Sequence, residues 1–375
     1  MKIAVNTRLL IKDKLEGIGW FTAETFKRIT ASHPEIEFIF LFDRAYSRGF
    51  IFSDNVTPVI LPPQARHPVL YYTWFNLSVP YILKKYKADI FISPDGYLSL
   101  NTSIPQLSVF HDLNFEHYPQ DLPFLERKYY RHFFPIFAEK AKRIATVSEF
   151  TKKDITQQYN IAPSKIDVVY NGANPLFKPA SEETILSVKR KYTYNQPYFL
   201  FVGALHPRKN LVSLFKAFDL FKKQTDQPHK LLIAGNKKWW TSEIRNSYES
   251  LSHKKDVIFS GRVDTKELVN IVGSAEALTY VSYFEGFGIP IVEAFYSETP
   301  VITSNITSMP EVAGEAALLI DPFSENSIAE AMKKIAGNKP LKKKLTEKGK
   351  VRARNFSWEQ TANNLWSSIE KIYNS

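Results

Sequence analysis

The chain has no cysteine among its 375 residues. Disulfide staples and thiolate-ligated metal centres are therefore excluded, and the composition fits a reducing compartment. No apolar run approaches the roughly 20 residues that a helix needs to cross a bilayer. The opening residues, Met1-Lys2-Ile3-Ala4-Val5-Asn6, read as a short strand rather than a charged region followed by a long apolar one. No secretory leader is expected, and the expected location is the cytoplasm, compatible with peripheral contact at the inner membrane face. No D-x-D or other carboxylate cluster with divalent spacing occurs, so no catalytic metal is expected. Dense Arg/Lys tracts interleaved with aromatics are also missing. The net charge of +11 is then better matched to phosphate-bearing ligands or an anionic membrane surface than to nucleic acid.

What is present points to size and alternation. A chain of 375 residues exceeds one typical domain, and 44% hydrophobic residues suffice for two sizeable cores. Short apolar segments at 3–6, 37–41, 88–92, 106–110, 143–146 and 166–169 read as strands, with helix-like stretches at 20–30, 68–86, 123–141 and 149–159 between them. The pattern breaks over 171–196, where Asn171-Gly172, Pro175 and Pro179 surround a charged helix-like piece. It resumes with strands at 198–202, 230–234, 257–259, 278–281, 300–302 and 317–320. The expected architecture is α/β, with two Rossmann-like domains facing a central cleft. The first spans residues 1–175, with a last helix at about 357–375 packing back onto it, and the second spans 176–356. In that helix Trp358, Trp366 and Tyr373 are expected as a core stripe. Segments 46–54 and 66–74 read as variable loops whose aromatic and basic residues suit an acceptor or the core equally.

The segment from Phe284 to Ala294 carries the most chemistry. Glu285 and Glu293 flank a glycine-rich turn that follows a strand and opens a helix, with Pro290 where a missing N–H costs nothing. Helix-opening amides suit phosphate and carboxylates suit sugar hydroxyls, so one segment fits both halves of a sugar nucleotide. Gly203 ends a strand and leads to Pro207-Arg208-Lys209-Asn210 at a helix start. Two cations there oppose the helix dipole, which calls for an anion, and the pair suits a diphosphate. His111-Asp112 follows the strand at 106–110. A neutral ring at that place can exchange a hydrogen bond with a sugar hydroxyl, and a purely structural role explains it equally well. Gly17-Ile18-Gly19 allows close backbone approach but does not complete G-x-G-x-x-G, because Thr22 takes the last position. Ser148 fits a helix N-cap, with Thr151 competing.

Together, E-G-F-G-I-P-I-V-E at 285–293, V-G-A-L-H-P-R-K-N at 202–210, F-H-D-L at 110–113, T-V-S-E-F-T-K at 146–152, V-Y-N-G at 169–172 and G-I-G-W-F at 17–21 resemble the retaining GT-B glycosyltransferases of family 4, the glycosyl transferases group 1. The resemblance covers nearly the whole chain. It implies GT-B architecture and a nucleotide diphosphate sugar, GDP- or UDP-linked, as donor, with no further cofactor and no metal. By the same resemblance Glu293 holds the ribose hydroxyls and Glu285 lies near the transferred sugar. The amides of Gly286, Phe287, Gly288 and Ile289 meet sugar hydroxyls and phosphate, and Arg208 and Lys209, beside Gly203, neutralise the diphosphate. Gly261-Arg262-Val263 lies beside the base, His111 lies close to the reacting sugar, and Gly17 and Gly19 close over phosphates or acceptor. The sequence departs from the family at Ala204, where many members carry arginine, and at Ala173-Asn174, where Val-Asp is common.

The implied activity is retaining transfer of a hexose, with mannose favoured over glucose or rhamnose. The acceptor is a hydroxyl of a glycan or lipid-linked acceptor in surface polysaccharide synthesis. A nucleotide-sugar epimerase on the same scaffold and a non-catalytic sugar-nucleotide-binding protein are the rival readings. The incomplete glycine fingerprint argues against an NAD-dependent oxidoreductase.

Overall fold

The computed structural model describes residues 1–236 and 240–374. They form two compact units, one of Met1–Gly172 with the C-terminal segment from Ser357, the other Ala173–Phe356. The first holds β1 (Lys2–Asn6), β2 (Glu37–Phe42), β3 (Val56–Ile60), β4 (Ile90–Ser93), β5 (Gln106–Phe110), β6 (Arg143–Thr146) and β7 (Ile166–Val168) in the order β3-β2-β1-β4-β5-β6-β7. The second holds β8 (Tyr198–Val202), β9 (Lys230–Ala234), β10 (Val257–Gly261), β11 (Ala277–Tyr280), β12 (Val301–Ser304) and β13 (Ala317–Ile320) in the order β10-β9-β8-β11-β12-β13. Every pairing is parallel. Both sheets are thus Rossmann-like, and in each the strand order reverses beside the first strand, between β1 and β4 and between β8 and β11.

Continuous apolar runs form these strands because helices cover both sheet faces. Phe38, Ile39, Phe40 and Leu41 on β2 and Phe199, Leu200 and Phe201 on β8 are all fully buried. Strand β3 escapes the sequence reading because Pro58 sits inside it. Proline is tolerated there because β3 is the edge of its sheet and needs ladder bonds on one side only.

Two expectations are corrected. Helix Trp358–Tyr373, capped by Ser357, does not bury its aromatics as a stripe. Trp358 is buried, but Tyr373 is exposed and Trp366 stacks on His33 with ring centroids 3.6 Å apart. The buried face is Trp358, Ala362, Leu365, Ile369 and Ile372, the spacing of a helix whose small and branched residues lie inward. This helix belongs to the first unit, where Thr361 Oγ1 donates to the Tyr170 carbonyl at 2.7 Å. A Cβ on Gly172 would stand 2.3 Å from the Trp358 nitrogen, which explains the glycine of V-Y-N-G. The second correction concerns 66–74, read both as a variable loop and, from 68 onward, as part of a helix-like stretch to 86; the helix reading holds and the loop reading does not. Helix Pro68–Thr73 runs through a π-turn, Trp74–Ser78, into helix Val79–Tyr86.

In the second unit His229 packs between Phe199 and Phe221, and neither of its ring nitrogens has a hydrogen-bond partner among the described residues. Burial pushes its pKa down to about 4, so the ring is neutral at pH 7. A histidine whose folded pKa lies below its unfolded one keeps its full stability above about pH 6.5 and loses it as pH falls towards 4. That loss is about 3 kcal/mol for the native chain. In His229→Leu the melting temperature is expected to fall less steeply than in the native chain between those pH values. Parallel slopes in a pH series of thermal melts would remove His229 as the source.

Candidate functional site

The carboxyl end of the second unit's sheet gathers most of the sequence-derived candidates. Gly203 leaves β8 with φ +141°, Gly235 follows β9, and Gly261 ends β10 with φ +72°. Gly235 donates its amide to the Gly261 carbonyl at 3.0 Å. A Cβ on Gly235 would lie 1.8 Å from the Gly203 carbonyl oxygen, so the backbones touch here and only glycine fits. Gly235 is not among the residues drawn from the sequence. Its signal is that it ends a strand as Gly203 does. After Gly261 the chain passes through exposed Arg262 and half-buried Val263 into helix Thr265–Gly273.

Pro207–Lys209 forms a single 3-10 turn, and Asn210 takes the left-handed conformation at φ 58° before helix Leu211–Gln224. The Asn210 amide donates to the carbonyls of Val281, at 3.1 Å, and Pro322, at 2.7 Å. Asparagine thus ties the loops after β11 and β13 to the turn carrying the two cations. Asparagine also tolerates positive φ better than most residues.

The anion that these cations require is inside the protein. Arg208 Nη1 donates to Glu285 Oε2 at 2.6 Å and to the Phe284 carbonyl at 3.1 Å. Lys209 Nζ donates to Glu285 Oε1 at 2.6 Å and to the Tyr280 hydroxyl. Glu285 is 5% exposed, and the two cations hold its carboxyl down at about 2 against the opposing effect of burial. Burial keeps the Tyr280 phenol neutral by raising its pKa. The triad therefore carries two positive charges against one negative. It presents a net positive charge from which the Arg208 side chain, 25% exposed, reaches solvent. Both Glu285 oxygens are engaged, so this carboxylate orients cations rather than standing free.

Helix Ile289–Tyr296 starts at Gly288, whose φ of +96° is a left-handed value that glycine adopts without strain. Gly286 and Phe287 form the turn before it, and the Phe287 ring packs edge-on against Phe356 at 5.5 Å. The first-turn amides of such a helix have no intrahelical acceptor. Glu293, half-buried in the same helix, has no side-chain hydrogen bond or ion pair among the described residues. Burial alone pushes its carboxyl up to about 8. The two glutamates are thus opposites. One is ionised and paired, the other is mostly protonated at pH 7 and unpaired.

In the first unit His111 follows β5. Its Nε2 lies 2.8 Å from the Pro94 carbonyl, which can only accept, so Nε2 carries the proton and Nδ1 remains an acceptor. Burial lowers its pKa, keeping the ring neutral. The ring meets Phe21 edge-on at 5.2 Å, on the helix that Gly17 opens. Gly19 is buried, and a Cβ there would sit 3.0 Å from the Leu9 carbonyl, whereas at Gly17 a Cβ would meet nothing within 4 Å. Ser148 is the N-cap of helix Glu149–Tyr159, accepting from the Thr151 amide at 3.1 Å. A cluster that the sequence does not reveal lies where strand order reverses. Arg8 Nε donates to Asp95 Oδ2 at 2.6 Å, and Asn6 Nδ2 donates to Asp95 Oδ1 at 2.8 Å.

A family profile described as Glycosyl transferases group 1 matches residues 183–352, and one described as Glycosyltransferase Family 4 matches residues 17–175. The chain is similar to O-antigen chain mannosyltransferase B of Escherichia coli, 29% identical over 382 residues that cover 96% of this chain and 97% of that protein. It is also similar to O-antigen chain mannosyltransferase RfbU of Salmonella typhimurium, 33% identical over 225 residues, covering 60% of this chain and 59% of that one. Among solved structures, Anabaena HepE in complex with UDP-glucose has the same fold, with a TM-score of 0.76 at 15% identity over 100% of both chains.

Proposed function

The chain belongs to the group 1 glycosyl transferases of GT-B type, and we propose that within this family it transfers a mannosyl residue from a nucleotide diphosphate sugar to a hydroxyl of a growing polysaccharide, with retention and without a metal ion. The observation that carries this reading is the Arg208–Glu285–Lys209 triad, a fixed cationic centre with one net positive charge in the nucleotide-side unit. The mannosyltransferase relatives support the choice of sugar, and the UDP-glucose bound by HepE supports a nucleotide sugar as donor.

The chemistry follows from charge. Breaking the bond between the sugar and the diphosphate adds one negative charge to a leaving group that already carries two. Cations already held in place stabilise that charge without reorganising in the transition state. Arg208 and Lys209 supply it, and the opening amides of helix Ile289–Tyr296 add the positive end of a dipole. Glu285 is a poor nucleophile, because a carboxyl held at about 2 between two cations has its lone pairs occupied. Retention is then best served by same-face attack, with the departing diphosphate taking the acceptor's proton. His111, neutral and with Nδ1 open to a donor, fits a sugar hydroxyl better than a proton-donor role.

Thermal-shift titration with GDP, UDP, ADP, dTDP and NAD tests the reading, because a ligand that binds only the folded state raises the melting temperature. One nucleoside diphosphate is expected to stabilise the protein. Lys209→Ala is expected to weaken that ligand by about 10- to 100-fold, the worth of one charge-assisted hydrogen bond, and to leave the matching nucleoside unaffected. Mannosyl transfer should then require an acceptor and survive chelators. Stabilisation by NAD alone, or turnover of the nucleotide sugar without any acceptor, would overturn it.

A further inference from the structure

We propose that the outer face of the helical segment Pro68–Tyr86 is a docking surface for an anionic lipid bilayer. The segment runs unbroken through helix Pro68–Thr73, the π-turn Trp74–Ser78 and helix Val79–Tyr86. Its inner face, with Tyr71, Trp74, Phe75, Val79 and Leu83, belongs to the first unit's core. Its outer face carries Val69, Tyr72, Leu77 and Tyr81, which are 68%, 44%, 60% and 65% exposed. The steps between them are three, five and four residues. The five-residue step spans the π-turn, whose extra residue returns Leu77 to the line of Tyr72, so the four form one stripe. Single exposed apolar residues are ordinary, but a row of four along one helix is not. The patch continues sideways. Tyr72 meets Phe133, ring centroids 5.8 Å apart, on helix Phe124–Lys140. Leu125, 68% exposed, lies two turns before Phe133 on the same side of that helix.

Charge selects the occupant. From Arg66 to Lys87 the sequence contains no aspartate or glutamate. Lys84 and Lys85, both exposed, extend the stripe one turn beyond Tyr81, and exposed Arg66 and His67 stand at its other end. Lys128 and His132 are exposed on the neighbouring helix. An apolar ridge with cations at its ends and flank matches a bilayer surface, where hydrocarbon lies beneath anionic headgroups. The proposal uses no residue of the nucleotide-side unit and stands independently of the donor reading.

Sedimentation of the full chain with phosphatidylcholine vesicles containing about one third phosphatidylglycerol, against pure phosphatidylcholine, tests it. The vesicles contain no glycan acceptor, so retention reports the bilayer itself. Binding is expected to the anionic vesicles only, and to weaken with salt. Lys84→Ala with Lys85→Ala is expected to lower the partition coefficient roughly thirtyfold, from about fivefold per basic residue. Leu77→Ser with Tyr81→Ser should lower it by at least about tenfold without moving the melting temperature, since both side chains are solvent-exposed. No binding to anionic vesicles would overturn the proposal. So would equal binding to both vesicle types, or retention by the Leu77/Tyr81 variant as tight as the native chain's.

Discussion

Glu285→Gln is expected to destabilise the second unit by about 3–5 kcal/mol, although it changes one atom's identity and almost no volume. The native carboxylate is 5% exposed and gives one oxygen to Arg208 and the other to Lys209, each at 2.6 Å. Glutamine can accept from one cation, but it turns an NH2 towards the other and leaves buried Lys209 and partly exposed Arg208 without a counter-charge. The pH dependence sharpens the test. A carboxyl whose folded pKa is about 2, against an ordinary 4.5, contributes its stability fully above pH 4.5 and loses it as pH falls towards 2. The gap between native and variant melting temperatures should therefore be widest at neutral pH and narrow on acidification. Adding Lys209→Met to the glutamine variant should restore part of the loss, and the double-mutant cycle isolates the pair. Equal melting temperatures at pH 7 would mean that the triad adds nothing to stability.

That triad also marks the limit of what the sequence discloses. The cations at 208 and 209 were legible as a helix-terminal pair in need of an anion. Their protein partner lies 76 residues further along, and no local pattern connects the two. Arg8 and Asp95, 87 residues apart, are invisible for the same reason, although each lies two residues past the end of a strand that the sequence does show. Tyr280 reads as one more apolar strand residue, yet its hydroxyl receives Lys209. The apolar strands themselves were plain because burial on both faces leaves no polar alternation to misread. The exception, β3, was hidden by Pro58, whose tolerance depends on edge position, a property of the sheet and not of the segment. Tyr373 departs from the expected stripe because small and branched residues set the buried face of the last helix, and Tyr373 lies off that face.

Binding of a nucleoside diphosphate is expected to tighten roughly fifteenfold between pH 6.5 and 8, and by only about twofold more above it. The argument rests on Glu293, whose unpaired carboxyl burial raises to about 8. In the role that the family resemblance implies, it accepts hydrogen bonds from ribose hydroxyls, and an ionised carboxylate accepts them best. Ligand therefore selects the deprotonated form. Below pH 8 the free protein must release a proton to bind, at a cost of about tenfold in affinity per pH unit. Calorimetry at pH 7 in buffers of different ionisation enthalpy should register close to one proton released per nucleotide bound. Glu293→Gln should bind more weakly and lose the pH dependence, since the amide cannot ionise. A 2′,3′-dideoxynucleoside diphosphate should also lose it in the native protein while still depending on Lys209, which separates ribose recognition from diphosphate recognition. If the native protein instead binds the ordinary nucleotide with no proton release, Glu293 stays protonated in the complex. The paired acceptor of the ribose must then lie elsewhere.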